Sequence, residues 1–134
     1  MFVRIRGRSM LPALRSGDLV WCSPPRELRR GQLLLIHKNE LLVKRLIGLP
    51  GEHVELKQGA LRVNQQLVEE AYVSPVASLE PQADQSWQLR ENEYCVLGDS
   101  RDDSMDSRRW GPIRREEIQG VLTFRVWPAG RFKV

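Results

Sequence analysis

Residues 31–48 read GQLLLIHKNELLVKRLIG and contain two apolar runs, residues 33–37 and 41–47, separated by charged and polar residues. Both runs have the length and the aliphatic content of buried β-strands. Further β-type stretches lie outward from this region in both directions, at residues 2–6, 19–22, 94–97 and 121–127. This part of the sequence therefore predicts a sheet made of short strands.

The region that follows predicts a small hairpin unit of three strands, at residues 53–56, 60–63 and 66–68. Turns are expected at Gln58-Gly59 and at Asn64-Gln65, because Gly and Asn accept the left-handed backbone that tight hairpin turns require. Residues 74–90 contain two prolines and many polar residues, and we expect a surface loop there.

Helical periodicity is scarce in this chain. Only residues 10–14, where Pro12 suits a first helical turn, and residues 114–118, closed by Gly120, indicate single helical turns. Strands that recur about every 8–12 residues with almost no helix between them predict an all-β domain.

Length and composition restrict the class of protein further. A chain of 134 residues fits one compact domain, and 41% apolar with 28% charged residues is ordinary globular usage, which excludes wholesale disorder. The longest aliphatic run, residues 33–36, is far shorter than the ~20 residues that a membrane span needs. The first residues contain no apolar stretch of the kind that marks a signal peptide.

The net charge is +4, and 17 of the 21 basic residues are arginine. A modest positive balance is typical of a solvated surface, and it also suits an anionic partner such as lipid headgroups or nucleic acid. Cys22 and Cys95 each stand alone in an apolar stretch, without a CxxC motif. We expect both to be buried small hydrophobic residues rather than zinc ligands or disulfide partners.

Several catalytic and cofactor motifs are missing from the sequence. The chain has two histidines, no Gly-x-Ser-x-Gly elbow, no clustered zinc ligands and no glycine-rich phosphate loop. Residues 99–106 superficially resemble a calcium loop, but they lack Gly at the sixth position, and Trp110 stands at the twelfth in place of Glu. We therefore expect neither a metal nor an organic cofactor.

Two residues stand out as candidates for chemistry. If residues 41–47 form a strand, Lys44 and Arg45 point to opposite faces, so one cation must face inward or toward a cleft. Burial lowers the pKa of a lysine and makes the neutral amine available as a general base, although an edge lysine that snorkels to solvent is the simpler interpretation. Ser9 lies where a strand gives way to a turn, so it is either a helix cap or a hydroxyl presented to a cleft.

Three blocks of the sequence, taken together, indicate a function more specifically than Ser9 or Lys44 alone. Residues 9–14 with 17–18, residues 43–52, and residues 98–108 with Gly111 resemble the motifs of bacterial type I signal peptidases, in the family's order. These enzymes are serine endopeptidases that use a Ser/Lys dyad, and the resemblance extends over nearly the whole chain. It implies a single compact, all-β, signal-peptidase-like catalytic domain over residues 1–134. Residues 53–93 would then be a short hairpin and loop insert, with no large second β-domain.

The resemblance also implies roles for individual residues. Ser9 corresponds to the nucleophile, Lys44 to the general base and Ser104 to the hydroxyl that orients the lysine amine. Asp106 and Arg108 correspond to an ion pair at the same corner, which we interpret as a structural clamp. The N–H of Ser9 and the backbone near Gly7 would form the oxyanion hole. A shallow pocket that favours an Ala-x-Ala sequence before the cleavage site would be lined by Ile5, Met10, Leu14, Leu42 and Val43.

The chain departs from the family pattern at several points. Ala13 and Ser100 stand where many members have Thr and Asn, and Gly7 stands where some members have a serine in the oxyanion hole. Only eight residues precede Ser9, so the family's membrane-anchoring helix is not visible in the sequence. Two interpretations stay open: a membrane-associated enzyme with an extracytoplasmic active site whose anchor was removed, or a cytoplasmic, soluble peptidase for a specific precursor. Soluble relatives that trim nickel superoxide dismutase precursors are an example of the second.

The partners implied are precursor proteins with N-terminal leaders, with no role for nucleic acid. The apolar rim expected around Ser9 and the basic residues Arg4, Arg6, Arg8 and Arg15 also suggest peripheral contact with an anionic membrane surface.

Two other functions are disfavoured. A self-cleaving regulator of the SOS-repressor type, which shares the dyad, needs a cleavable segment upstream of Ser9. A non-enzymatic basic β-module needs exposed aromatic residues interleaved with Arg. Trp21, Trp110 and Trp127 are instead expected in the core or at a cleft edge.

Overall fold

The computed structural model describes residues 1–73, 83–102 and 104–130. Within these ranges the protein is built from eleven strands, one short helix and one 3₁₀ turn. The strands are β1 Phe2–Arg4, β2 Leu19–Ser23, β3 Leu33–Lys38, β4 Glu40–Gly48, β5 His53–Lys57, β6 Ala60–Val63, β7 Gln66–Leu67, β8 Gln85–Gln88, β9 Glu93–Leu97, β10 Ile113–Arg114 and β11 Ile118–Trp127. The helix α1 is Ser107–Trp110, and the 3₁₀ turn is Arg115–Glu117. The prediction of an all-β fold is confirmed.

Seven strands form the larger sheet, in the order β1-β2-β11-β3-β4-β9-β10, and every described pairing in it is antiparallel. At its centre, the two apolar runs of the sequence form a hairpin in which Leu34 lies opposite Lys44. Asn39, at the turn between them, has a φ of 64°, a conformation that Asn tolerates better than most residues. The central hairpin therefore carries Lys44 into the middle of the protein.

The second sheet has four strands in the order β7-β6-β5-β8 and is built from the predicted hairpin unit. Gln58 and Gly59 have φ values of 51° and 79°, and Asn64 and Gln65 have 50° and 69°. Positive φ at both central residues is the signature of the tight hairpin turns expected at these positions. Side chains of this sheet, among them Val54 and Leu61, pack in one core with residues of β4 and β9. The insert therefore covers the larger sheet, and no large second domain is formed.

The prediction of a surface loop was wrong for part of residues 83–90. They were expected to belong to a surface loop, but Gln85–Gln88 forms β8 and pairs with β5. The strand lies at a sheet edge, and Trp87 is its one large apolar residue, so its exposed residues at 86 and 88 resemble a loop in the sequence. Residues 74–82 of the expected loop lie outside the described residues.

The helical turns were predicted in part. The 3₁₀ turn Arg115–Glu117 lies within the expected residues 114–118. Residues 10–13 form turns rather than a helix, although the Leu14 N–H donates to the Met10 carbonyl at 2.9 Å, as in one helical turn. The sequence did not predict α1, whose N-cap is the Asp106 side chain.

Cys22 and Cys95 are buried free thiols, as expected. One expectation about the aromatic residues was wrong, because Trp127 is 70% exposed instead of lying in the core or at a cleft edge. It is the last residue of β11, where few elements remain to cover a side chain. In the parts of the chain that the structure describes, no helix has the length and the apolar character needed to cross a membrane.

Candidate active site

A chain of partly buried hydrogen bonds begins at Lys44. This lysine lies in β4 and is 2% exposed. Its Nζ donates to Ser104 Oγ at 3.2 Å, and the Ser104 hydroxyl donates to Asp106 Oδ2 at 2.9 Å. Because the Ser104 proton points to a carboxylate, a lone pair of the same oxygen faces the lysine. The serine therefore holds the amine in one orientation.

Asp106 is fully buried and accepts hydrogen bonds from several directions. The Gly98 N–H donates to it at 2.9 Å, and the Nε and a terminal nitrogen of Arg108 both donate at 2.9 Å. Burial by itself would raise the pKa of Asp106, but the hydrogen bonds and charge of Arg108 and the Gly98 N–H hold it below its usual range. Arg108 therefore provides the largest favourable interaction with the Asp106 carboxylate.

Ser9 lies in the turn that follows β1, and its backbone packs against the same loop. Its carbonyl accepts from the Ser100 N–H at 2.9 Å. A Cβ placed on Gly98 would lie 2.8 Å from this carbonyl oxygen and 2.1 Å from Ser104 Oγ. The loop can approach Ser9 this closely only because residue 98 has no side chain. Gly98 therefore lies directly between the backbone of Ser9 and the hydroxyl that holds Lys44.

A cleft of about 430 Å³ opens beside Ser9. It runs between the β1 side of the large sheet and the first half of β4. Six of the residues proposed from the sequence line it, namely Ile5, Gly7, Ser9, Met10, Leu42 and Val43. Leu14 does not line the cleft; it is 1% exposed and packs with Ile5 and Met10 in the core beneath. Charged residues stand in the cleft wall at Arg4, Arg6 and Glu40.

Both cations of β4 are buried, whereas the alternation of side chains along a strand requires only one of them to face inward or toward a cleft. Arg45 is fully buried, donates to both carboxylate oxygens of Asp99 at 2.7 and 3.1 Å, and donates to the Gly31 carbonyl at 2.8 Å. Burial raises the pKa of Asp99, and the hydrogen bonds and charge of Arg45 oppose this rise. This is possible because both faces of β4 are covered, and Asp99 supplies the counterion from 54 residues away.

Sequence reasoning did not assign Arg45, Asp99 or Gly98 to the site, although all three lie within the quoted blocks. The available signal was an arginine inside an apolar run and an Asp directly after a Gly in the acidic block. No metal is indicated either: among the described residues, no group of three or more His, Cys, Asp or Glu side chains is placed to hold one.

Comparison with known proteins gives a uniform result. Residues 1–127 match the family model described as signal peptidase, peptidase S26. Signal peptidase IB of Staphylococcus aureus strain N315 is 34% identical over 150 residues, covering 96% of this chain and 78% of the relative. Signal peptidase I of Leptolyngbya laminosa is 34% identical over 149 residues, covering 95% and 68%. The crystal structure of a signal peptidase I from Enterococcus faecalis V583 is similar with a TM-score of 0.65 and 30% identity, covering 73% of this chain and 98% of that one.

Proposed function

The chain belongs to the signal peptidase family, peptidase S26, and we propose that as a type I signal peptidase it uses Ser9 as nucleophile and Lys44 as general base. The family resemblance predicted from the three sequence blocks is confirmed. Members are serine endopeptidases that act on precursor proteins carrying signal peptides. The observation that carries our proposal is the chain of hydrogen bonds from Lys44 through Ser104 to Asp106, next to the backbone of Ser9.

The surroundings of Lys44 support a neutral amine. Burial disfavours the ammonium form, since Lys44 is 2% exposed. One N–H of the amine donates to Ser104, so the nitrogen lone pair is left for the Ser9 proton.

The reaction then follows from these positions. The Ser9 Oγ attacks the scissile carbonyl carbon while its proton passes to Lys44 Nζ. The Ser9 N–H and the backbone near Gly7 donate to the oxyanion of the tetrahedral intermediate. As the intermediate collapses, the peptide C–N bond breaks and the leaving amine takes the proton from Lys44. A water molecule then hydrolyses the ester on Ser9, with Lys44 taking its proton and returning it to the Ser9 oxygen.

The cleft supports a preference for small side chains before the cleaved bond. Ile5, Met10, Leu42 and Val43 give it apolar walls close to Ser9. An apolar wall excludes larger groups by overlap, which favours an Ala-x-Ala sequence. Leu14 contributes by supporting Ile5 and Met10 from below, because it packs against them.

Peripheral contact with an anionic membrane surface belongs to the same proposal. Phe2 and Leu41 are more than half exposed, and the Phe2 ring packs edge-on against Trp21 at 4.8 Å between centroids. Arg4, Arg6 and Arg8 are exposed on the same segment, and each cation near an anionic surface contributes about 1 kcal/mol.

The dyad is tested with a fluorogenic leader peptide that contains an Ala-x-Ala site. Ser9→Ala and Lys44→Met are each expected to abolish cleavage while the circular dichroism spectrum stays that of the wild type. Matched controls are Ser86→Ala and Lys57→Met, because both residues are exposed in the second sheet. Near-wild-type turnover in a folded Lys44→Met protein would refute the mechanism.

A further inference from the structure

Glu70, in the segment that follows β7, contacts the loop that carries Ser104. Its carboxylate accepts hydrogen bonds from both terminal nitrogens of Arg101. The ion pair is shielded, since the side chains of Arg101 and Glu70 are 12% and 9% exposed. A shielded, bidentate pair of this kind holds its partners in a fixed geometry, unlike most surface ion pairs.

Arg101 in turn joins the two ends of the loop. Its Nε donates to the Gly98 carbonyl at 2.8 Å, and its own carbonyl accepts from Arg108 at 2.8 Å. Gly98 and Arg108 both donate to Asp106, which in turn accepts from the Ser104 hydroxyl and so orients it. A continuous set of hydrogen bonds therefore leads from Glu70 to the hydroxyl that holds the lysine amine.

Tyr72, two residues after Glu70, packs against Arg45 of β4, the residue next to Lys44. It is 5% exposed, and the Arg45 guanidinium carbon lies 4.2 Å from the centre of its ring, within cation–π distance. Burial, with the charge of Glu70 and a hydrogen bond to it, raises the pKa of Tyr72, so its hydroxyl stays protonated. Tyr72 therefore packs on the arginine that immediately follows Lys44, and the Glu70 carboxylate acts on its hydroxyl.

We propose that Glu70 and Tyr72 are positioning residues for the cleavage reaction: through Arg101 and Arg45 they fix the loop and the strand that bring Ser104 and Lys44 together. The inference rests on the proposed function. Neither residue touches the cleft, because neither is among the residues that line it. Proton transfer requires the amine to be aimed at Ser9, so loosening this support slows the chemical step and leaves substrate binding unchanged.

The test compares Glu70→Gln with Glu69→Gln, which makes the same change at an exposed neighbour. For the leader peptide we expect Glu70→Gln to lower kcat about 10- to 100-fold with KM changed less than about twofold. Glu69→Gln should match the wild type in both. Because Glu70 acts through Arg101, the effect should disappear in an Arg101→Gln background. An equal loss in both backgrounds, or no loss in kcat, overturns the inference.

Tyr72→Phe is the second variant and keeps the ring over Arg45 while it removes the hydroxyl. A smaller loss of kcat than in Glu70→Gln is expected, and no loss would remove Tyr72 from the proposal. If the wild type cleaves no leader peptide, the proposed function fails, and hydrogen exchange of the Gly98 amide then decides the inference. Faster exchange in Glu70→Gln than in Glu69→Gln supports the positioning network, and equal exchange overturns it.

Discussion

Gly98 packs so closely against Ser104 that a Cβ on residue 98 would lie 2.1 Å from the Ser104 Oγ. The same Cβ would lie 2.8 Å from the carbonyl oxygen of Ser9, a backbone atom that cannot move aside cheaply. Because residue 98 has no side chain, the backbone of Ser9 and the Ser104 hydroxyl, which binds the Lys44 amine, can lie close together.

The Gly98→Ala variant is expected to lose about 100-fold or more in kcat, because the added methyl displaces the Ser104 hydroxyl. Gly120→Ala is the control: its Cβ would make a tight contact, 3.1 Å from the Ser23 carbonyl oxygen, but would meet neither Ser9 nor Ser104. Kinetics with the leader peptide and thermal unfolding of both variants measure the difference. Full activity in Gly98→Ala would contradict the described packing.

Ser104→Ala removes the acceptor that holds the Lys44 amine. We expect kcat to fall about 10- to 100-fold with little change in KM, because the cleft is untouched. The rate should still rise with pH as Lys44 loses its proton, and the position of that rise should move less than the rate itself. Rate–pH profiles of this variant and of Ser86→Ala provide the measurement. A rate in the wild type that stays flat down to about pH 5, far below the ordinary lysine range, would exclude Lys44 as the titrating base.

The buried pair of Arg45 and Asp99 is expected to matter for stability. Asp99→Asn should lower the free energy of unfolding by about 3–5 kcal/mol, because it removes the carboxylate charge that the buried Arg45 binds. Replacing both residues, as Arg45→Met with Asp99→Asn, should recover part of this loss. Urea unfolding measures the free energy of unfolding of both variants. The exposed pair of Arg29 and Glu27 is the reference: Arg29→Met should lower this free energy by less than about 1 kcal/mol. An equally small cost for Asp99→Asn would contradict the burial of the pair.

The central elements of the fold could be predicted from the sequence because their signals are local. Alternating and apolar runs identified most strands, and Gln58-Gly59 and Asn64-Gln65 identified the turns of the second sheet. The burial of Arg45 could not be predicted, since it depends on Asp99 and on the sheet that covers β4, both distant in sequence. The exposure of Trp127 could not be predicted either, because the sequence at the end of a strand does not indicate which elements will cover its last side chain.

Some residues of the candidate site could be predicted from the sequence and others could not, again because only some of the signals are local. Ser9, Lys44 and Ser104 stand in blocks that resemble a known family, so they could be named without a structure. Glu70 and Tyr72 lie outside those blocks, and only the folded chain brings them against Arg101 and Arg45.

Both cysteine thiols should be inert in the folded protein. Burial raises the pKa of Cys22 to about 11 and that of Cys95 to about 12, so neither forms the reactive thiolate near neutral pH. A thiol reagent added at pH 8 should label neither residue in the native protein and both after unfolding in urea. Rapid labelling of the native protein would show that one of these positions opens to solvent.

Because the pKa of Asp106 is lowered in the folded protein, the free energy of unfolding should decrease at acidic pH. Burial alone would raise the pKa of this carboxyl, but Arg108 and the Gly98 N–H hold it below the value of an unfolded aspartate. The ionised group therefore stabilises the fold fully above the ordinary range near ~3.9, and this contribution is lost as the pH falls through the lower folded pKa. Asp106→Asn, which removes the carboxylate charge that Arg108 binds, should cost about 3 kcal/mol at pH 7 and progressively less as the solution is acidified. Urea unfolding of both proteins over a series of pH values measures this, with Glu69→Gln as the exposed control. A difference between wild type and Asp106→Asn that stays constant down to about pH 2, below the ordinary aspartate range, would mean that folding does not lower the pKa of this carboxyl.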